Sequence, residues 1–161
     1  MHRLVLSLLL MMPVVAGAQG WPVWGGNPGG TRYSALKQIN AQNVDDLQIA
    51  WQVRTGAVAK HDASVNKFAG FQANPILTPV EAGQSLVLCT PFNEVLALDP
   101  VTGKERWRFD PKINLGGYGS DTDPEGKESV PFKKCRGVAF WQDAGALSKQ
   151  AACVNRIVFA T

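Results

Sequence analysis

The sequence predicts an all-β fold of short strands joined by tight turns. Glycine and proline account for 16 and 10 of the 161 residues, and both residue types interrupt regular structure. No segment keeps apolar residues on one helical face for three turns. From Phe71 onward, short apolar runs alternate with turn residues. These observations favour successive hairpins over a helical bundle.

The region before Phe71 is predicted to be an edge segment rather than a domain. A glycine-rich opening, residues 24–33, leads to residues 43–51, where a short capped turn passes into a strand. A phosphate-binding role for the glycines is not expected, because no Gly-Lys-Ser/Thr follows them and the dinucleotide pattern lacks its flanking strand and helix.

Four short strands are predicted in succession after this segment. They are expected at residues 74–77, 85–90, 94–98 and 106–109. The third strand should place Val95 and Ala97 on one face and Leu96 and Leu98 on the other.

The turn between the third and fourth strands has a clear chemical basis. Asp99 can accept backbone N–H bonds, Pro100 presets φ, and Gly103 can adopt a positive φ. Two later strands are expected at residues 137–141 and 156–161, with the chain stopping in mid-strand.

Four consecutive short strands make one blade of a β-propeller. At the length of a typical blade, the chain holds about two blades. Propellers need roughly four to eight blades to close, at about 40–50 residues each. Two open blades would leave strand edges without partners. We therefore expect the N-terminal piece of a longer protein, with a short standalone β-protein as the alternative.

Residues 1–18 have the features of a signal peptide. Arg3 supplies a positive start, residues 4–15 form an apolar core, and residues 16–18 (AGA) fit the small-x-small cleavage rule. The apolar run of about 12 residues is shorter than the roughly 20 that span a bilayer. We expect cleavage after Ala18 and a periplasmic or secreted product, with residues 19–161 forming the propeller segment.

The charge argues against two classes of partner. The formal net charge is +3, and it would fall to +2 on loss of Arg3 with the leader. No basic stripe with interleaved aromatic residues is present, so nucleic acid is not an expected partner. No polybasic surface for membranes remains either.

The three cysteines, Cys89, Cys135 and Cys153, would enter an oxidising compartment, where thiols tend to pair. Cys135 with Cys153 is the favoured pair, because these residues flank the apolar run 137–141 and its loop. The other two pairings remain open, and so does the alternative that all three are buried thiols. Zinc is not expected, because no C-x-x-C or histidine has ligand spacing.

Residues 110–134 form a long connection rich in glycine, proline and charge, and connections of this length usually cover or bind something. Residues 121–126 (DTDPEG) superficially resemble a calcium loop, but the later ligand positions are missing, so a solvated acidic loop is preferred. His61, the one histidine after the leader, is interpreted as a surface residue without a partner.

Residues 97–107, ALDPVTGKERW, resemble the tryptophan-docking motif of the pyrroloquinoline quinone (PQQ) dependent dehydrogenases. This quinoprotein family is built on an eight-bladed β-propeller. Residues 24–34, 38–40 and 43–44 resemble the N-terminal sequence of the same family. The resemblance implies that Trp107 packs on a neighbouring blade. It also implies that PQQ lies at the propeller axis, where calcium bridges its acidic groups.

The resemblance places three residues at the cofactor. Arg136, in CRGVAFW (135–141), matches an arginine that contacts the quinone oxygens, where a guanidinium would stabilise the negative charge built by hydride transfer. Gln72 falls where relatives often place a glutamate at the cofactor's polar edge. Phe132 stands where glucose-oxidising members carry a histidine, which weakens glucose as the substrate, and its ring is expected to stack on PQQ.

Each of these residues has a structural alternative. Arg136 is alternatively a surface arginine beside a strand. Gln72 is alternatively a polar residue at the start of a strand, and Phe132 is alternatively a hydrophobic loop residue.

The resemblance implies the N-terminal part of a periplasmic PQQ-dependent dehydrogenase. Such an enzyme would oxidise an alcohol, sugar or polyol and pass electrons to a respiratory quinone or cytochrome. The calcium ligands and the proton-abstracting aspartate are expected beyond Thr161, so the fragment alone should be inactive.

Two alternatives to an enzyme are a non-catalytic propeller scaffold of the outer-membrane-assembly type and a small secreted sugar-binding β-domain. A scaffold needs no cation at the axis, so Arg136 beside a stackable aromatic residue argues against it.

Overall fold

A computed structural model of the chain describes residues 20–61, 63–66, 69–113, 135–148 and 151–160. The predicted signal peptide, residues 1–18, lies outside the described residues. The strands are β1 (Ile76–Leu77), β2 (Leu86–Cys89), β3 (Val95–Leu98), β4 (Glu105–Phe109), β5 (Ala139–Gln142) and β6 (Asn155–Val158). The helical segments are α1 (Ala63–Asn66) and the 3-10 turns Val44–Asp46, Val58–Lys60 and Val80–Ala82.

The first sheet is an antiparallel meander in the order β1-β2-β3-β4. It confirms the predicted succession of four strands, which is one blade of a propeller. The predicted faces of β3 are also confirmed. Val95 and Ala97 are buried in one hydrophobic cluster, and Leu96 and Leu98 are buried in another.

The second sheet is the hairpin β5-β6, in which Ala139 pairs with Val158 and Gln142 with Asn155. A parallel bridge between Asn74 and Gly137 joins the chain that leads into β1 to the chain that leads into β5. The two sheets therefore start side by side and in the same direction, as successive blades do.

Strand β6 ends at Val158, so the expected strand over residues 156–161 is too long at its C-terminal end. Phe159 packs instead against the core between the two sheets. Thr161 lies outside the described residues.

The main core lies between the two sheets. Its fully buried members include Ile76, Val87 and Cys89 of the first sheet, and Phe140 and Ile157 of the second sheet pack against it. The rings of Phe109 and Phe159 meet edge to face at a centroid distance of 6.3 Å.

Trp107 lies at this junction between the sheets. It lines a cavity of about 170 Å³ together with residues of both sheets, among them Val87, Phe140 and Ile157. The side chain of Trp107 is 41% exposed.

The opposite face of the first sheet is covered by Trp51. Its indole packs against the cluster of Leu88, Leu96 and Leu98. Its Nε1 donates a hydrogen bond to the carbonyl oxygen of Pro100 at 3.2 Å. Trp51 therefore docks on the turn between β3 and β4.

The segment that leads to Trp51 differs from the prediction. After the 3-10 turn Val44–Asp46, residues 47–56 form no strand and pair with no strand of the described part. Asn43 does not cap the turn, because its side chain binds the backbone of Gln38 and Asn40 at 2.7 and 2.8 Å.

The turn between β3 and β4 forms as predicted. Oδ1 of Asp99 accepts hydrogen bonds from the backbone N–H groups of Val101 and Thr102 at 3.0 and 2.9 Å, and Gly103 has φ of 70°. Oδ2 of Asp99 forms an ion pair with Arg106 at 2.6 Å. This contact is the main reason that the pKa of Asp99 lies well below its usual range, and the N–H of Thr102 adds to it.

Asp99→Asn should lower the melting temperature of the full-length protein at neutral pH, because the amide cannot form the ion pair with Arg106. The folded-state pKa of Asp99 is depressed. Its stabilising contribution is therefore complete above the unfolded-state value near 3.8 and is lost as pH falls through the folded-state value. The difference in melting temperature should hold from about pH 7 to 5 and shrink below about pH 4. A difference that stays constant into this acid range would contradict the assignment. Asp45→Asn, at an exposed carboxyl group, is the control.

Candidate functional site

The candidate site lies at one end of the two sheets. The pairings Ile76–Val87, Cys89–Val95 and Val95–Phe109 place the start of β1, the β2–β3 turn and the end of β4 at the same end. The bridge from Asn74 to Gly137 adds the start of the second sheet. Side chains just before β1 and β5 therefore project from a shared end.

Two of the three predicted site residues lie on these neighbouring segments. Gln72 comes two residues before Asn74, and Arg136 comes directly before Gly137. Both are exposed, and the guanidinium of Arg136 makes no ion pair or hydrogen bond with the described part of the chain. Bridged backbones lie about 4.8 Å apart. The fold thus brings an exposed cation and an exposed amide to the same edge.

The third predicted site residue, Phe132, lies outside the described residues. The same is true of residues 121–126, so their interpretation as a solvated acidic loop stays a prediction.

The predicted disulfide between Cys135 and Cys153 is wrong. Cys135 is bonded to Cys89, with the two Cα atoms 6.0 Å apart, and Cys153 is a free, exposed thiol. Cys135 precedes β5, whereas Cys153 lies in the connection at the far end of the β5-β6 hairpin. The length of such a strand separates them by on the order of 15–20 Å. Cys135 and Cys89 instead meet in the core between the sheets.

A second cluster at the same end of the sheets ties residues 55–61 to β3 and β4. The Glu94 side chain is 8% exposed and forms ion pairs with Lys60 and, at 2.8 Å, with Arg108. Arg108 also donates to the carbonyl oxygen of Thr55 at 3.1 Å. A hydrogen bond to Glu105 raises the pKa of Arg108 and lowers that of Glu105.

His61 is not the unpartnered surface residue that the sequence predicts. It is half-buried, and its ring packs against that of Phe92 at a centroid distance of 4.0 Å. Both rings line a cavity of about 470 Å³, which Lys60, Glu94, Asp110 and Lys112 also border. The contact arises because the β2–β3 turn places Phe92 beside the segment that carries His61, which no local sequence pattern reveals.

Residues 20–22 form a part of this region that sequence reasoning missed. Trp21 exchanges two backbone hydrogen bonds with Leu77, at 2.7 and 2.9 Å, and the carbonyl oxygen of Pro22 accepts one from Phe140 at 3.0 Å. This short segment therefore connects β1 to β5. Its only sequence signal is its position just before the glycine-rich opening.

The exposed residues fit an anionic quinone ligand. PQQ carries carboxylates and an ortho-quinone, and an exposed guanidinium can bind two adjacent oxygens at once. The amide of Gln72 can both donate and accept hydrogen bonds. Among the residues that the structure describes, no group of three His, Cys, Asp or Glu side chains could hold a metal ion. No described helix is long and apolar enough to cross a membrane.

Comparison with known proteins gives one family. Residues 21–161 match the family model described as "PQQ: Glucose/ethanol/alcohol dehydrogenase, beta-propeller domain". The chain is 41% identical over 121 residues to quinoprotein glucose dehydrogenase A of Acinetobacter calcoaceticus, an alignment that covers 75% of this chain and 13% of that protein.

Two further relatives extend this similarity. The chain is 36% identical over 143 residues to quinoprotein glucose dehydrogenase of Escherichia coli, covering 87% of this chain and 16% of the relative. It is 33% identical over 127 residues to quinate/shikimate dehydrogenase (quinone) of Acinetobacter baylyi, an alignment that covers 79% of this chain and 13% of the relative. The sequence thus spans less than a fifth of the length of each of these relatives.

Proposed function

Because the chain belongs to the PQQ-dependent glucose, ethanol and alcohol dehydrogenase family of β-propellers, we propose that the full-length protein is a PQQ-dependent dehydrogenase. Its substrate would be an alcohol, sugar or polyol, oxidised at a CH–OH group. The observation that carries this proposal is Arg136, an exposed cation without a partner in the described part, beside the segment of Gln72. The names of the relatives, which include glucose, quinate and glycerol dehydrogenases, support the same class of reaction.

The roles of the chain's own residues follow from their chemistry. When bound, PQQ supplies an ortho-quinone that accepts a hydride from the substrate carbon. Arg136 would bind adjacent quinone oxygens and stabilise their negative charge, since a fixed cation favours the charge that develops in the transition state. The neutral amide of Gln72 would form a hydrogen bond to PQQ at a position where a glutamate would add a negative charge. Phe132 would offer an apolar face for stacking.

The remaining parts of the proposal concern the whole protein. We propose that residues 1–18 are removed after Ala18, that the product is periplasmic, and that residues 19–161 form its first two blades. Electrons would pass to a respiratory quinone or cytochrome. Calcium would bind beside PQQ through ligands beyond Thr161, and the proton-abstracting aspartate would lie there as well.

The purified full-length protein should reduce an electron-accepting dye only after PQQ and Ca²⁺ are added, with at least one of glucose, quinate or glycerol as donor. Each substrate is assayed with and without PQQ, and PQQ binding is measured separately by titration. PQQ binding with dye reduction supports the dehydrogenase. A full-length protein without affinity for PQQ would exclude it and favour the non-catalytic scaffold.

A further inference from the structure

We propose that the Cys89–Cys135 disulfide is a positioning device for Arg136. The bond would fix the backbone from which the guanidinium reaches its ligand, so the oxidised pair is needed for full PQQ affinity. This inference rests on the proposed function, because it takes Arg136 to be a PQQ contact.

The disulfide lies in the buried core of the described chain. Cys89 lies in β2, opposite Val95 of β3, and is fully buried. Cys135 is 3% exposed and belongs to the same core cluster. Close-packed interiors resist displacement, so the bond ties the residue before Arg136 to a fixed point in the first sheet.

The residue after Arg136 is held in a different way. Gly137 forms the parallel bridge with Asn74, and Val138 is buried at 4% exposure. Arg136 is therefore an exposed residue between two fixed neighbours, one held by a covalent bond and one held by backbone pairing. Its backbone is fixed while its side chain is free to meet a ligand.

Fixing the backbone of Arg136 matters because an arginine side chain is flexible. The side chain has several rotatable bonds, and ordering it costs conformational entropy. A shift of about 1 Å in a positioned group can cost on the order of 100-fold in function. Among the described residues, Cys135 is the one next to Arg136 on its N-terminal side, and without the disulfide its position would depend on the packing of its small side chain in the core.

Replacing both bonded cysteines, as Cys89→Ala with Cys135→Ala in the full-length protein, should weaken PQQ binding about tenfold, by analogy with such misplacement. The dissociation constant is read from PQQ titration, and melting temperature without PQQ reports whether the variant is folded. Cys153→Ala is the matched control, because it removes the free, exposed cysteine, and it should leave the dissociation constant unchanged. If the double-alanine variant does not fold, Cys89→Val with Cys135→Ala keeps more of the buried volume and replaces it in the titration.

A double-mutant cycle separates positioning of Arg136 from general loosening of the fold. In an Arg136→Ala background, removal of the cysteine pair should change the dissociation constant less than about twofold, because the group it positions is gone. An equal loss of affinity in both backgrounds would overturn the positioning role, and so would unchanged affinity in the folded cysteine variant. Absence of PQQ binding by the wild-type protein would instead refute the proposed function.

Discussion

Arg136→Ala should weaken PQQ binding by the full-length protein about 100-fold. Two charge-assisted hydrogen bonds from one guanidinium contribute together about 3 kcal/mol, which corresponds to about two orders of magnitude in the dissociation constant. The side chain is exposed and makes no ion pair with the described residues, so the melting temperature of the PQQ-free protein should stay nearly unchanged. Binding is measured by titration with PQQ, and turnover by dye reduction.

Two further variants make this result specific. Arg136→Lys keeps the charge but loses the planar pair of donors, so its affinity should fall between those of wild type and Arg136→Ala. Arg156→Ala removes another exposed arginine, whose guanidinium lies 4.7 Å from the ring centroid of Trp141, and should leave PQQ affinity unchanged. If Arg136→Ala binds PQQ as tightly as the wild-type protein, Arg136 is a surface arginine beside a strand and not a cofactor contact.

Gly103→Ala should destabilise the protein by about 3 kcal/mol, from two separate causes. Gly103 has φ of 70°, where a side chain costs about 1 kcal/mol or more. The new Cβ would also lie 2.5 Å from Cε3 of Trp51 and 2.6 Å from its Cδ2. The indole would have to move away from the core of Leu88, Leu96 and Leu98 that it covers.

Gly83→Ala is the matched control for Gly103→Ala. Gly83 has φ of 84°, but a Cβ there would meet no atom within 4 Å. The control therefore carries only the conformational cost, about 1 kcal/mol. Thermal melting of the full-length variants should show at least twice the loss for Gly103→Ala. Equal losses would mean that the Trp51 contact contributes nothing.

Local patterns were sufficient to predict the first sheet. Alternation along residues 94–98 predicts both faces of β3, and the chemistry of Asp99 and Gly103 predicts the turn that follows. The docking of Trp51 on Gly103 could not be predicted in the same way. The two residues are far apart in sequence, and the segment before Trp51 pairs with no described strand that would reveal its place.

The candidate site likewise combines features that the sequence predicts with features that depend on long-range contacts. The resemblance predicts Arg136 and Gln72 as cofactor contacts, which stays a prediction, and the fold brings their segments together through the Asn74–Gly137 bridge. The cysteine pairing was wrong, because spacing along the chain favoured Cys153. The pairing depends on the three-dimensional arrangement of the chain. Cys135 and Cys153 lie toward opposite ends of the β5-β6 hairpin, whereas Cys89 and Cys135 meet in the core between the two sheets. The stacking of His61 on Phe92 likewise depends on a long-range contact.

The backbone bonds of residues 20–22 have a practical consequence for any work with this protein. Trp21 and Pro22 complete hydrogen bonds of Leu77 and Phe140, so their removal would leave backbone groups of both sheets without these partners. Gly20 is packed so closely that a Cβ there would lie 2.9 Å from the oxygen of Leu77. A side chain at position 20 would therefore compete with the first sheet for space, so a shortened or tagged form should keep residues 20–22 unchanged.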